Sequence, residues 1–177
     1  EKSLERRRYV KELKNILVSL GGVDPQNITT DVINELSKIS ALADAEVNVV
    51  LGSQSPHISA VKMAAKKSPL KINVHVDTKQ MAELMSQADL AIGASGSSSW
   101  ERCALGLPSI SYVIADNQIN IALALENSRA ATTIQGIDEL AAKLTTAISN
   151  LKNMSIEASL VCDGLGVKRV SNFLKAS

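Results

Sequence analysis

The chain has 177 residues, of which 45% are hydrophobic and 2% aromatic, and 19 basic against 18 acidic residues leave a net charge of +1. This length suits one domain with a sizeable core, and the aliphatic composition favours a buried parallel sheet covered by helices. Nucleic acids and anionic membranes are usually bound by strongly basic surfaces, which this composition does not supply. We therefore expect neither partner.

The sequence also lacks the usual marks of a membrane or metal-binding protein. No apolar run approaches the roughly 18 residues of a membrane helix, and no secretory signal precedes the domain, which predicts a cytoplasmic protein without membrane insertion. Cys103 and Cys162 lie far apart without metal-type spacing, which predicts two buried free thiols rather than a disulfide or a zinc site. We expect no metal and no cofactor.

From the amino terminus onward the pattern changes once. Residues 1–14 are highly charged and predict a linker helix from a preceding domain that this sequence does not contain. After Lys14, runs rich in Val and Ile alternate with helical patterns, which is typical of repeated βα units. Residues 15–177 therefore predict one α/β domain, a Rossmann-like doubly wound parallel sheet of about six strands. The predicted strands are residues 15–20, 46–51, 70–76, 89–93, 108–113 and 129–134.

Helices are predicted between and after these strands. Asp24 before Pro25 predicts an N-cap, since proline is well tolerated at the first helical position. Asp77 or Thr78 is predicted to cap a helix that begins near Gln80, and Gly106 is predicted to end another. The predicted helices are residues 25–40, 56–67, 78–88, 98–105, 118–127 and 137–151, followed by one or two C-terminal segments.

The most informative loop follows the fourth predicted strand. In open parallel sheets, ligands bind where strand ends and helix N-termini converge, and small residues with hydroxyl groups suit a pyrophosphate there. One serine would suffice as a helix cap, whereas this loop has four, which favours phosphate binding over capping. Glu101 follows and can accept hydrogen bonds from ribose hydroxyls, or it can be a solvent-facing capping residue. We call this loop the serine loop. It contains Ser95, Gly96, Ser97, Ser98 and Ser99.

Two further loops carry weaker candidates. Gly21 and Gly22 follow the first predicted strand and let backbone approach a ligand closely, although such a pair is also ordinary turn chemistry. Asn117 and Gln118 follow the fifth strand, where amides can orient sugar hydroxyls or simply cap a helix. Neither a P-loop lysine motif nor the Rossmann triple-glycine pattern is present, which argues against an ATPase and against dinucleotide binding.

His57 and His75 are the two histidines of the chain. Each lies at the end of a predicted strand or in the loop that follows it, where it could act as a base or contact a ligand. Neither has a carboxylate or nucleophile at a diagnostic spacing, so a structural or substrate-contacting role is the better interpretation.

Taken in order, the motifs at these loops resemble the C-terminal domain of the UDP-sugar hydrolase of pseudaminic acid biosynthesis. That family is similar in turn to MurG-type glycosyltransferases of the two-domain GT-B fold, so the chain would be the C-terminal half of such a fold. The resemblance covers residues from about Asn15 to about Leu151. The motifs are residues 19–27, Gly52 with 55–57, 81–94, 95–108 and 117–118.

The resemblance implies a function and a set of contacts. The full protein would hydrolyse UDP-2,4-diacetamido-2,4,6-trideoxy-β-L-altropyranose, releasing UDP, in surface polysaccharide biosynthesis. Glu101 would bind ribose, and the backbone near Val76 would meet the uracil. Asn117 and Gln118 would face the sugar, with Asn117 in a supporting catalytic role. The diphosphate would be contacted by Gly21, Gly22, Gly96, Ser97 and Ser98, and Ser95 is predicted as a further nucleotide-binding residue.

In that family the general-base histidine lies in the N-terminal domain, and neither His57 nor His75 can inherit its role. We therefore expect this chain alone to bind UDP or a UDP-sugar weakly and to hydrolyse nothing at a useful rate, because the N-terminal partner domain is missing. Two alternatives stay open. The chain could be the donor-binding domain of a GT-B glycosyltransferase, or a noncatalytic nucleotide-sugar-binding subunit.

Overall fold

The computed structural model describes residues 2–7, 10 and 12–176 and places six strands in one parallel sheet. Their order across the sheet is β3-β2-β1-β4-β5-β6, which is the order of a doubly wound fold. Both the predicted fold and the six predicted strands are confirmed, with each end within two residues. The strands are β1 (Asn15–Ser19), β2 (Glu46–Leu51), β3 (Lys71–Val76), β4 (Leu90–Ala94), β5 (Ser109–Tyr112) and β6 (Ala131–Ile134).

Helices cover both faces of this sheet. Alternate strand residues point to opposite faces, so Ile16 and Val18 join the larger core beside α2, α3 and α7, whereas Leu17 packs with Met85 of α4 on the other face. Of the helices in the described residues, none is long and apolar enough to cross a bilayer. The helices are α1 (Lys2–Arg7), α2 (Ile28–Leu36), α3 (Ile58–Lys67), α4 (Met81–Gln87), α5 (Ser98–Ala104), α6 (Ile119–Asn127), α7 (Leu140–Val161) and α8 (Gly166–Ala176).

Helix α2 begins three residues later than predicted. Asp24 and Asn27 have φ angles of 44° and 57°, in the left-handed region, so no continuous helix can run through Pro25. The Asp24 carboxylate accepts the amide hydrogens of Ile28 and Thr29 at 3.0 and 2.9 Å. The N-cap residue of α2 is Asn27, so the predicted N-cap position at Asp24 and the predicted start at Pro25 are both wrong, although the Asp24 side chain does accept first-turn amides.

Other helix ends also differ from the prediction. Helix α4 begins at Met81, and the carboxylate of Asp77 accepts the Ser53 amide at 3.1 Å instead of capping α4. The Thr78 hydroxyl accepts the Gln80 amide at 3.1 Å, just before α4.

Helix α5 ends as predicted, since Gly106 takes a φ of 59° that strongly favours glycine. Helix α7 runs ten residues beyond the predicted end because its buried apolar stripe continues through Met154 and Ala158.

The two cysteines meet in space although 59 positions separate them in sequence. Both thiols are free and pack in one small cluster with Leu125 and Ala158. Cys103 is buried, as predicted, whereas Cys162 is only half-buried. Burial raises the pKa of the Cys103 thiol to about 11.

The segment predicted as a linker contains α1, which lies against the domain. Arg6 donates to the Asp89 carboxylate at 2.8 Å, and the Arg7 guanidinium donates to the carbonyl oxygen of Ala88 at 3.0 Å and to that of Leu105. The Asp89 carboxylate also accepts the backbone amides of Lys14 and the first residue of β1. These contacts attach α1 to the amino end of β4. Residues 8, 9 and 11 lie outside the described residues.

Candidate functional site

The site begins with the reversal of strand order between β1 and β4. From β1 the sheet extends outward to β2 and β3, and from β4 it extends the other way to β5 and β6, while Ser19 and Gly93 sit side by side in register. The loops after β1 and β4 must therefore diverge and leave a crevice at their carboxyl ends. Ligands of doubly wound sheets bind in this crevice.

The loop after β4 carries backbone amides whose hydrogens have no partner in the described part of the chain. Within the described residues, the structure gives no protein acceptor to the amide hydrogens of Gly96, Ser97 and Ser98. A Cβ built on Gly96 would meet no heavy atom within 4 Å, so this backbone borders open space. Ser97 and Glu101 are exposed and Ser98 is half-buried. The loop can therefore present several donors and one carboxylate to a ligand.

The other two serines of this loop point inward. The Ser95 hydroxyl lies 2.9 Å from the Ser111 hydroxyl and donates to the Tyr112 carbonyl at 3.2 Å, and its residue is fully buried. Ser99 is also buried and accepts a hydrogen bond from Arg102. A ligand role for the Ser95 hydroxyl does not follow from this geometry, because the hydroxyl belongs to the contact between β4 and β5.

The glycine pair after β1 is exposed and faces the same crevice edge. Gly21 has a φ of 102°, which strongly favours glycine. The Gly22 carbonyl accepts the Gly52 amide at 2.8 Å, and a Cβ on Gly52 would lie only 2.9 Å from that carbonyl oxygen. This close backbone approach holds the loops after β1 and β2 together and requires glycine at Gly52, whereas a Cβ on Gly22 would lie no closer than 3.9 Å to another heavy atom.

The two amides after β5 differ in how firmly they are held. Asn117 is exposed in a short 3-10 turn. The Gln118 side-chain oxygen accepts the Ile114 amide at 3.1 Å, so its amide nitrogen is the end that is left to donate. Strands β4 and β5 are parallel neighbours, so the loops that follow them leave the same end of the sheet. Both amides therefore lie at the end of the sheet that carries the serine loop.

Val76 and the two histidines lie farther from the serine loop. Val76 ends β3, which β2 and β1 separate from β4. The His75 ring lies 2.9 Å from the Asn48 side-chain oxygen, and the His57 ring lies 3.1 Å from the Pro25 carbonyl oxygen. Both histidines therefore have structural contacts. In the part of the chain that the structure describes, no three His, Cys, Asp or Glu side chains gather closely enough to hold a metal.

Arg102, for which no site role was predicted from the sequence, lies directly beneath the serine loop. Its side chain is 2% exposed and donates to the Ser98 hydroxyl at 3.3 Å, and to the Ser99 hydroxyl and the Ala94 carbonyl at 2.9 Å each. Burial lowers its pKa to about 10, so the guanidinium stays positively charged at neutral pH. In the sequence, Arg102 lies four residues after Ser98 and three after Ser99, and residues at these spacings share one face of a helix. This spacing could have identified Arg102 as a contact of the two serines.

A groove of about 760 Å³ lies away from this crevice, beside β6 and α7. Lys143 and Glu126 form a 3.6 Å ion pair at its wall, and Thr132 of β6 also lines it. No sequence motif singled out for function falls in this groove.

Comparison with known proteins identifies the family of this domain. Residues 16–159 match the glycosyltransferase family 28 C-terminal domain. Over 174 residues the chain is 32% identical to the spore coat polysaccharide biosynthesis protein SpsG of Bacillus subtilis (strain 168). That match covers 93% of this chain and 51% of the relative, so the chain spans about half the length of that protein.

Solved structures share the same fold. The crystal structure of MurG from Acinetobacter baumannii superimposes with a TM-score of 0.81 at 20% identity, covering 99% of this chain and 53% of MurG. The C-terminal CMP-Kdo binding domain of WaaA from the same organism gives a TM-score of 0.66 at 10% identity, covering 89% and 93% of the two chains. The expected C-terminal half of a GT-B fold is confirmed, and by its family match the chain belongs to the glycosyltransferase family 28 C-terminal domain family.

Proposed function

We propose that this chain is the nucleotide-sugar-binding domain of a GT-B enzyme, with UDP as the nucleotide. The observation that carries the proposal is the set of amides at Gly96, Ser97 and Ser98, which have no acceptor among the described residues and border open space at the β1/β4 crevice beside the exposed Glu101. A diphosphate would accept hydrogen bonds from these amides, and the Glu101 carboxylate would accept the ribose hydroxyls. Gly21 and Gly22 would contact the diphosphate from the opposite loop.

One protein of the same fold supports a nucleotide-sugar ligand, and one relative supports a role in polysaccharide biosynthesis. The domain of WaaA with the same fold is described as a CMP-Kdo binding domain, and SpsG is described as a spore coat polysaccharide biosynthesis protein. The choice of UDP, and the placement of the uracil near the Val76 backbone, rest on the motif resemblance.

For the reaction, transfer of the sugar to an acceptor is our first proposal, because the matching family is one of glycosyltransferases. Hydrolysis of the altropyranose derivative is the second candidate, favoured by the ordered motifs after β1, β4 and β5. In both, Asn117 and the free amide nitrogen of Gln118 would donate to the sugar, with Asn117 supporting the reaction.

We further propose that the sugar cleft is completed by a companion domain of the same polypeptide. The relative SpsG is about twice as long as the matched segment, so a comparable second half is available in that protein. Helix α8 offers a surface for such a domain, because Val167, Val170 and Leu174 lie at helical spacing and are 85%, 60% and 69% exposed.

The nucleotide assignment can be tested by calorimetric titration of UDP and uridine. We expect Glu101→Ala to weaken UDP binding about tenfold, because a charge-assisted hydrogen bond to ribose is lost. Glu83→Ala is the matched control, since Glu83 also lies in the first turn of a seven-residue helix, α4, and should leave the affinity unchanged. Equal affinity of wild type and Glu101→Ala would remove the ribose role, and equal affinity for uridine and UDP would remove the phosphate role.

The two candidate reactions are separated by incubating a UDP-sugar with the polypeptide that contains both domains. UDP release without an acceptor supports the hydrolase, whereas release that depends on an acceptor supports the transferase. We expect the 177-residue chain by itself to release no UDP, since it lacks the proposed companion domain. Turnover by this chain would contradict that expectation.

A further inference from the structure

The buried guanidinium of Arg102 has no anionic partner in the described residues. It forms no salt bridge there, and its three hydrogen bonds go to neutral oxygens of Ala94, Ser98 and Ser99. Its Nε atom is buried without a hydrogen-bond partner. A buried charge is costly unless an anion or a full set of hydrogen bonds compensates it, so this cation is incompletely neutralised by the described chain.

The position of this cation is built into the fold. A Cβ at Gly93 would overlap the Arg102 Nη1 atom and would lie 3.1 Å from the Ser19 carbonyl oxygen. The missing side chain at the end of β4 therefore leaves room for the guanidinium between β4 and α5. The same atom, Nη1, reaches the hydroxyl of Ser98, which is half-buried beside the unpaired loop amides.

We propose that Arg102 is a positioning residue for the diphosphate, which supplies positive charge from beneath the serine loop and orients the Ser98 hydroxyl toward the ligand. Because the Ser98 oxygen accepts from Arg102, its own hydrogen is left to donate outward to a phosphate oxygen. Hydrogen bonds in such a chain polarise one another, and those that involve a charged group are the stronger ones. This inference rests on the proposed nucleotide site.

The test compares uridine, UMP and UDP as ligands of wild type, Arg102→Met and Arg102→Lys in calorimetric titrations. We expect Arg102→Met to weaken UDP binding about 30-fold, to weaken UMP binding less, and to leave uridine binding within about twofold. Arg102→Lys retains the charge and should recover part of the UDP affinity. A residue that only holds β4 and α5 together would change the three affinities alike, or change none, and either result would overturn the proposal.

A second measurement needs no folded methionine variant. In ¹⁵N-labelled wild-type protein, the Arg102 Nε–H resonance is assigned by its loss in Arg102→Lys. We expect UDP to shift this resonance and uridine to leave it in place. No shift with bound UDP would overturn the proposal even if Arg102→Met fails to fold. If wild type binds no UDP at millimolar concentration, the proposed function itself fails. If wild type binds UDP and the Arg102 variants bind it equally well, only the role of Arg102 fails.

Discussion

The two ends of β4 hold buried charges in contrasting environments. At the amino end, the Asp89 carboxylate accepts Arg6 and two backbone amides, whereas the buried Arg7 beside it donates only to neutral oxygens and, like Arg102, has an Nε without a partner among the described residues. At the carboxyl end, Arg102 donates only to neutral oxygens of the described residues, and none of these residues accepts the loop amides beside it. The Arg6–Asp89 pair needs no further partner, whereas a buried cation next to amides that have no acceptor among the described residues is suited to bind an anion.

The largest effect on stability is expected at the amino end. Asp89→Ala leaves Arg6 and two amides without their acceptor, and we expect the free energy of unfolding to fall by about 3 kcal/mol in urea denaturation. UDP affinity of the folded fraction should not change, because Asp89 is at the opposite end of β4. The exposed Asp44→Ala is the control, expected to change stability by less than about 0.5 kcal/mol. A similar loss in both variants would contradict the comparison.

An intermediate effect is expected from alanine at Gly93. The added Cβ overlaps the Arg102 guanidinium, so we expect the free energy of unfolding to fall by about 2 kcal/mol and UDP binding to weaken with it. Gly96→Ala is the matched variant, since its Cβ enters open space and should cost less than about 1 kcal/mol. At Gly96 the new methyl group would instead stand where the diphosphate is proposed to bind.

Unchanged stability and UDP affinity in Gly93→Ala would mean that the Arg102 side chain can adopt another position. The proposed difference between the charges at the two ends of β4 would then lose its support. If Gly96→Ala bound UDP as tightly as wild type, the serine loop would lose its proposed contact.

The smallest effect concerns Cys103, which follows Arg102 in α5. Burial raises the pKa of its thiol to about 11 even though the charge of Arg102 acts to lower it. The reactive thiolate is therefore scarce at pH 8, and its population should rise about tenfold per pH unit until about pH 11. We expect Cys103 in a Cys162→Ser variant to react with iodoacetamide far more slowly than an unfolded thiol. Fast labelling at pH 8 would show that Arg102 controls the pKa of this thiol more strongly than burial does.

Much of the sheet could be predicted from the sequence because its strands are short apolar runs between turn signals, and these signals are local. The end of α5 at Gly106 was predicted for the same reason. The start of α2 was not predicted, because the left-handed conformations of Asp24 and Asn27 cannot be recognised in the sequence. They delay the helix to Ile28 and let the Asp24 side chain reach its first amides from outside the helix.

The candidate site was predicted in outline and corrected in detail. Gly96, Ser97, Ser98 and Glu101 border the crevice, whereas Ser95 turns its hydroxyl to β5. The four serines of this loop cannot be distinguished by sequence, and only their contacts, with β5 for Ser95 and with Arg102 for Ser99, separate the inward ones from the outward ones.

The amino-acid sequence by itself determined the α/β class, the number of strands and the loops that follow them, since hydrophobic period and turn residues act over a few positions. Only the tertiary structure decided that the loops after β1 and β4 share one crevice and that Arg102 lies beneath it. Both depend on which strands become neighbours, and contacts between residues distant in sequence set that order. The same contacts pair Arg6 with Asp89 at one end of β4 and, among the described residues, leave Arg102 without an anionic partner at the other.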